Sequence, residues 1–221
     1  MNPIKQTNLD LDEAFGLYEK GCLDAAEKRY EELSRNLRFY HRRAQRMNLL
    51  MGMSYVKSAL KKHDEARVCC EQLLQHSRLR KGMYIALHQS ATVEGEAGDQ
   101  RKALEFLNRE MELLEKYYKK DPQKHAICQY ERAGVLLLLG RKQDALYAVT
   151  DAARRVDQCR DENVGGHIYR RFGEIQRMLG DEGNAVPSFK KALDYFEEAE
   201  DSDGAKEVKM LIKEKQAARV E

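Results

Sequence analysis

The sequence of 221 residues contains no tryptophan and only three prolines. Long helices can therefore run uninterrupted, because proline removes a backbone donor and clashes inside a helix. No stretch of eighteen apolar residues is present, and the first residues lack the apolar core of a secretion signal. We therefore expect no membrane-spanning helix and a cytoplasmic location.

Cysteine is sparse and irregularly placed. The five cysteines are an odd number without CxxC spacing, which indicates neither a disulfide framework nor a zinc knuckle. His125 and Cys128 have the spacing of half a metal site, but no second half is visible and a buried structural cysteine is the favoured interpretation. Nucleophile-elbow, P-loop and dinucleotide-binding glycine motifs are missing. The prediction is a protein that is not an enzyme, with no catalytic residue, cofactor or metal.

The charge is unevenly distributed along the chain. The whole sequence carries a net charge of +2, whereas residues 35–81 hold 12 Lys and Arg against 3 Asp and Glu. Such a basic zone attracts acidic partners. Its run from Arg38 to Arg46 interleaves aromatic with basic residues, which is a nucleic-acid-binding pattern, but the favoured interpretation is a helix start with Phe39 and Tyr40 partly buried.

A repeat of about forty residues organises the chain. An alanine recurs in a similar local frame at Ala26, Ala66, Ala103, Ala145 and Ala185. Glycine stands five residues earlier in every copy except the second, which has Lys61, and glycine suits the left-handed turn after a helix. A small residue stands twelve positions earlier, at Ala14, Ala91, Ala133 and Gly173. In the second copy Gly52 takes this place if two residues are inserted before Lys61.

Each copy is therefore predicted to be a helix, a short turn and a second helix. The first and fifth copies contain a small residue, a glycine, an alanine and an aromatic residue in this order. This pattern resembles the tetratricopeptide repeat, over roughly residues 7–199. The long intervals are similar to those of kinesin light chains and of peptide-sensing regulators of Gram-positive bacteria. They imply long helices or long loops, such as the polar stretch from Asp157 to Gly166.

The resemblance implies an all-α fold, a right-handed α-solenoid of about five helix pairs with a C-terminal capping helix. We predict a single domain over 1–221, with repeats at approximately 7–40, 41–80, 81–120, 121–160 and 161–199 and the cap at 202–220. Stacked repeats leave a concave groove lined by the first helix of each pair. Counting from the small residue of each first helix, the resemblance gives these candidate partner-binding residues: Arg46, Leu49, Met53, Lys57, His88, Thr92, Tyr130, His167, Arg170, Glu174 and Arg177.

The predicted function is a protein- or peptide-binding scaffold or adaptor. Arginine in the groove favours a partner with an acidic or carboxylate-terminal segment, since the guanidinium group offers a forked donor to carboxylates. The alternative is a regulatory sensor of a short signalling peptide, and an enzyme or nucleic-acid binder is less favoured. The sequence indicates no membrane partner and no oligomeric state.

Overall fold

The computed structural model describes residues 3–36, 43–77, 80–159 and 161–217. Within these ranges the chain forms helices and no strands, which confirms the predicted all-α class. The helices are α1 (Pro3–Glu19), α2 (Leu23–Asn36), α3 (Arg43–Ala59), α4 (His63–His76), α5 (Arg80–Glu96), α6 (Gln100–Tyr117), α7 (Pro122–Leu138), α8 (Lys142–Cys159), α9 (Glu162–Met178), α10 (Glu182–Glu198) and α11 (Ser202–Ala217).

The predicted glycine turns separate the two helices of each pair. Gly21, Gly98, Gly140 and Gly180 all have positive φ, between +73° and +86°. At the first turn, the Gly21 N–H donates to the Tyr18 carbonyl and the Cys22 N–H donates to the Leu17 carbonyl, which is the Schellman pattern of helix ends. Lys61 takes the same left-handed conformation, with φ +61°, although it carries a side chain.

The second repeat needs no insertion. Counting back seven residues from the left-handed turn gives Ala14, Ala91, Ala133 and Gly173 in the other repeats, and from Lys61 it gives Ser54. Ser54 is fully buried, as that position requires. Gly52 has a different role, because it lies against the side chain of Tyr30 on α2. The predicted register of the second repeat was therefore wrong by two residues.

The chain divides into two compact units, Met1–Leu113 and Leu114–Glu221. Inside the first unit each of α1 to α4 packs on the next helix in the sequence, and the first helix α3 also contacts the first helices α1 and α5. Inside the second unit α7 to α11 pack in the same sequential way, and α9 contacts α11. Contacts between successive helices and between successive first helices are what stacked helix pairs produce.

Aromatic rings of α10 lie directly on the backbone of α9. Gly165 faces Tyr195, Gly166 faces Phe196 and Gly173 faces Phe189, and a methyl group on any of the three would approach its ring within 2.9 Å. The predicted loop from Asp157 to Gly166 was therefore wrong, because α8 continues to Cys159 and both glycines belong to α9. The long repeats come from long helices.

The predicted cap begins where expected, at Ser202. Ala205 and Val208 of its apolar stripe are buried, while Leu211 and Ile212 are half-buried. Residues 218–220 of the predicted cap lie outside the described residues.

Replacement of Gly52 by alanine should destabilise the first unit. The new methyl carbon would lie 2.2 Å from the hydroxyl oxygen of Tyr30, whose side chain is 2% exposed and has little room to move. Overpacking of this kind costs about 1–3 kcal/mol in the free energy of unfolding. Urea denaturation would measure the loss.

Gly16→Ala is the matched control, because Gly16 also lies within a helix but has open space around its α-carbon. Alanine there should be neutral or stabilising, by up to about 1 kcal/mol, through its higher helix propensity. Equal effects of the two substitutions would contradict the packing described for Gly52.

Candidate functional site

The predicted partner-binding residues lie on the first helices of the pairs. We define the first-helix face of the first unit as the side of α1, α3 and α5 that carries Phe15, Tyr55 and Thr92, each one residue after the buried small residue. The corresponding face of the second unit is formed by α7 and α9 and includes Gly134 and Glu174. The two faces are described separately.

Two predicted residues are not on the face of the first unit. Leu49 is 5% exposed and belongs to the apolar core formed by α1, α2 and α3. Lys57 is 6% exposed and points toward the second helices. Both were assigned from Gly52, so the two-residue error in register turned them inward, and neither is available to a partner.

The Lys57 ammonium group forms an internal ion-pair network. Its Nζ lies 2.8 Å from Glu27, 3.2 Å from Glu31 and 2.6 Å from Glu65. Burial disfavours the charged amine, but the three hydrogen-bonded carboxylates raise its pKa well above the ordinary value. Hydrogen bonds from Lys57 and then Lys62 lower the pKa of Glu27. The network therefore keeps Lys57 protonated and Glu27 ionised at neutral pH.

The other predicted residues of the first unit are half-buried. Met53 packs against the core of α1 to α3, and Arg46 lies on α3. The hydroxyl of Thr92 donates to the carbonyl of His88, one turn earlier. The Nδ1 atom of His88 lies 3.2 Å from Glu110 of α6, whose carboxylate is fully buried. The Arg38–Arg46 run lies mostly outside the described residues.

Three aromatic side chains on this face were not predicted. The ring centroids of Phe15 and Tyr18 on α1 are 5.8 Å apart, and Tyr18 stacks on Tyr55 of α3 with centroids 5.9 Å apart. We call these three residues the aromatic row. The sequence carries a signal for two of them, since Phe15 follows Ala14 and Tyr55 follows Ser54, but the candidate residues include none from the first repeat, and the register of the second differs by two residues.

On the second unit, Tyr130 of α7 is covered by Arg171 of α9. The guanidinium carbon of Arg171 lies 3.9 Å from the centroid of the Tyr130 ring, and its Nη1 donates to the Tyr130 carbonyl at 3.1 Å. Gly134 leaves the space for this side chain, since a methyl group there would lie 2.5 Å from Nη1. Arg171 was missed because only its neighbour Arg170 matches the groove spacing.

Arg170 is held between two carboxylates. Its Nε lies 3.9 Å from Glu174 on the same helix, and its Nη1 forms an ion pair with Glu207 of α11. The Nε atom is buried and has no hydrogen-bond partner in the part of the chain that the structure describes. Burial raises the pKa of Glu174, although Arg170 and Arg171 act in the opposite direction.

The remaining two predicted residues have separate environments. His167 is exposed and contacts the ring of Phe196 edge-on, at 5.1 Å between centroids. Arg177 lies over Phe189 at 4.6 Å, pairs with Glu182 at 3.1 Å and donates to the carbonyl of Leu211 on α11. The structure thus brings Arg170, Arg171 and Glu174 together, whereas Arg177 serves mainly the packing of α10 and α11.

Neither a metal cluster nor a membrane span is visible in the described ranges. His125 and Cys128 are buried in α7, and no group of three or more His, Cys, Asp or Glu side chains is arranged to hold a metal ion among the residues described. No described helix is both long enough and apolar enough to cross a bilayer.

Known structures share this arrangement of helices. Bacillus thuringiensis PlcR, in complex with the peptide PapR7 and DNA, matches with a TM-score of 0.71 and 19% identity, covering 90% of this chain and 72% of PlcR. The tetratricopeptide-like repeats of a putative kinesin light chain from Podospora anserina match with a TM-score of 0.69 and 15% identity, covering 92% of this chain and all of that one.

A thermophilic tetratricopeptide-repeat protein of Thermus thermophilus matches with a TM-score of 0.62 and 18% identity, covering 94% of this chain and 97% of that one. The chain has a tetratricopeptide-repeat-like fold. No protein-family model matches the sequence, and curated protein sequences give no match either.

Within this tetratricopeptide-repeat-like fold, replacing Lys57 by methionine should destabilise the first unit. The substitution removes the cation that three carboxylates share, but Glu27 keeps Lys62 and the other two carboxylates are half exposed, so the loss should be about 1.5–3 kcal/mol, as for hydrogen bonds to a charged group. The stability difference from the wild type should be largest above the ordinary carboxyl pKa of 4.5 and should shrink as the pH falls below it.

The stability difference shrinks at low pH because the pKa of Glu27 is lowered in the folded wild-type protein. The stabilising contribution of the Glu27 carboxylate is therefore lost when it becomes protonated. Chemical denaturation of both proteins across this pH range would measure the difference. A difference that is independent of pH would show that Lys57 acts through packing alone.

Proposed function

We propose that the chain is a protein-interaction module that binds an extended segment of a partner through its first-helix faces. The free thiols of Cys22, Cys69, Cys70 and Cys159 fit a reducing, cytoplasmic setting. The partner segment carries an acidic side chain or a terminal carboxylate, which binds to the second unit. The observation that carries the proposal is the incomplete hydrogen bonding of Arg170.

A buried guanidinium donor without a partner is unusual, because nearly all buried polar groups are hydrogen-bonded. Arg170 has such a donor at Nε, on the first-helix face of the second unit, within the described residues. Arg171 adds a second positive charge on the next residue of α9, held against Tyr130. Because Nε is itself enclosed, a partner carboxylate would contact the Nη atoms of Arg170, where Glu207 now pairs, and would gain charge-assisted hydrogen bonds there.

Glu207 indicates how a partner carboxylate would bind. It is half-exposed, extends from α11 and pairs with the Nη1 of Arg170. Because the Glu207 carboxylate is 52% exposed, solvent screens the pair, and a better-placed carboxylate can replace it. We propose that Glu207 occupies the position that the partner's carboxylate takes when it binds.

Replacing Arg170 by glutamine should weaken the binding of an acidic probe peptide, an N-acetylated segment of glycine, serine and glutamate. A loss of about tenfold is expected, because a hydrogen bond to a charged group contributes about 1.5 kcal/mol. Glu207→Gln should have the opposite effect, about a threefold gain, because it releases Arg170 from its internal competitor. Fluorescence anisotropy of the labelled peptide would measure both.

Arg154→Gln is the matched control, since Arg154 is 65% exposed on α8 and pairs with Asp151 away from this face. It removes the same charge from the same unit and should leave the affinity nearly unchanged. Equal losses for Arg154→Gln and Arg170→Gln would show that the peptide responds only to net charge, and weaker binding to Glu207→Gln would reject the proposed site.

A second candidate function is a sensor of a short signalling peptide. The similarity to PlcR, whose structure contains the peptide PapR7 and DNA, favours it. The two functions differ in the size of the bound species. Mass spectrometry of material that co-purifies with the chain, before and after denaturation, distinguishes them, because a sensor would release a short peptide and a scaffold would retain a protein.

A further inference from the structure

The aromatic row of the first unit ends beside carboxylates. Its rings run from Phe15 through Tyr18 to Tyr55, with neighbouring centroids less than 6 Å apart. On α5 the carboxylate of Glu96 accepts a hydrogen bond from Ser58, one turn beyond Tyr55 on α3. The aromatic row on α1 and α3 and the Glu96 carboxylate on α5 therefore lie on one face of three consecutive first helices.

These rings are accessible to a ligand. Phe15 is 38% exposed, and Tyr18 and Tyr55 are half-buried, so part of each residue reaches the solvent. Burial raises the pKa of Tyr55, and the neighbouring Tyr18 and Glu96 act in the same direction. The three groups thus share one local environment rather than lying on separate surfaces.

Two exposed carboxylates, Glu19 and Glu96, lie on the last turns of α1 and α5, while the exposed Lys20 and Lys61 stand in the turns that follow α1 and α3. Glu19 directly follows Tyr18 in the sequence. The C-terminal ends of α1, α3 and α5 each add a partial negative charge. Lys57, the cation nearest in sequence to Tyr55, is already neutralised by the carboxylates of Glu27, Glu31 and Glu65.

From this geometry we infer that the aromatic row is a binding site for a cationic side chain, arginine or lysine, of an extended partner segment. The ring faces attract a cation through their quadrupole, and the carboxylates of Glu19 and Glu96 complement its charge. The inference deepens the proposed function, on which it rests, because it assigns a basic residue to the part of the partner that contacts the first unit.

The chemistry of this site is opposite to that of the second unit. The face around Arg170 offers donors to carboxylates, whereas the aromatic row offers acceptors and ring faces to cations. A partner that meets both sites therefore carries basic and acidic residues in separate positions along its length. Uniformly acidic and uniformly basic segments would each satisfy only one site.

The test uses two short peptides that differ only in side-chain charge. The probe is N-acetyl-Gly-Arg-Gly-Arg-Gly-amide, and its partner replaces both arginines by citrulline, which has nearly the same shape without the charge. Neither peptide has a carboxylate, so failure of the site at Arg170 does not affect the result. We expect saturable changes in the tyrosine ring resonances of the full chain with the arginine peptide, at concentrations of up to about 10 mM.

Phe15→Leu and Tyr18→Leu should each weaken binding of the arginine peptide by about two- to fivefold, which corresponds to an exposed cation–π contact. Phe15→Leu keeps the inference testable if Tyr18→Leu unfolds the first unit, since Phe15 contributes less to the core. Glu96→Gln should weaken binding about twofold. Tyr147→Leu, which removes a ring that is 76% exposed on α8, is the control and should have no effect.

Equal binding of the arginine and citrulline peptides would overturn the inference, because the site would then not recognise charge. Unchanged affinity in a folded Phe15→Leu protein would also overturn it. Absence of saturable binding of the arginine peptide over the whole concentration range would be a third contradictory result. Each outcome is independent of whether the acidic probe binds near Arg170.

Discussion

The structure depends on the close approach of a ring on one helix to the backbone of a neighbouring helix. Phe189 lies on Gly173, and Tyr30 lies on Gly52, in both cases nearer than any side-chain carbon could allow. Such contacts bury the apolar surface of the ring and allow the two helices to pack at a short interaxial distance. On α3 and α9, the first helices that carry these glycines, the contact also decides which side of the helix is buried.

Burial also decides which charges a partner can meet. Residues 35–81 are strongly basic by composition, yet Lys57 is enclosed by Glu27 and Glu31 of α2 and by Glu65 of α4. The aromatic row beside it borders exposed carboxylates instead. In the second unit, Arg170 pairs instead with Glu174 of its own helix and Glu207 of α11. A count of charges along the chain therefore does not give the charge of a face.

The repeat itself was predictable because its chemistry is local. Gly21, Gly98, Gly140 and Gly180 were identified as left-handed turns from the preference of glycine for that conformation, and all four adopt it. Lys61 adopts it as well, with the same backbone hydrogen bonds from the Lys61 N–H to the Ser58 carbonyl and from the Lys62 N–H to the Lys57 carbonyl, so the exception in the pattern was not an insertion. A shift of two residues rotates a helix by about 200°, which is why Leu49 and Lys57 were placed on the wrong side.

The sequence by itself determined the helix class, the period of about forty residues, the turns and the first helices that carry exposed residues, because these depend on contacts within one pair. Only the tertiary structure decided that Tyr18 stacks on Tyr55, that Arg171 covers Tyr130 and that Glu207 pairs with Arg170. Each of these contacts joins residues from different helices that are far apart in the sequence. Their distances are set by packing, which no spacing in the sequence encodes.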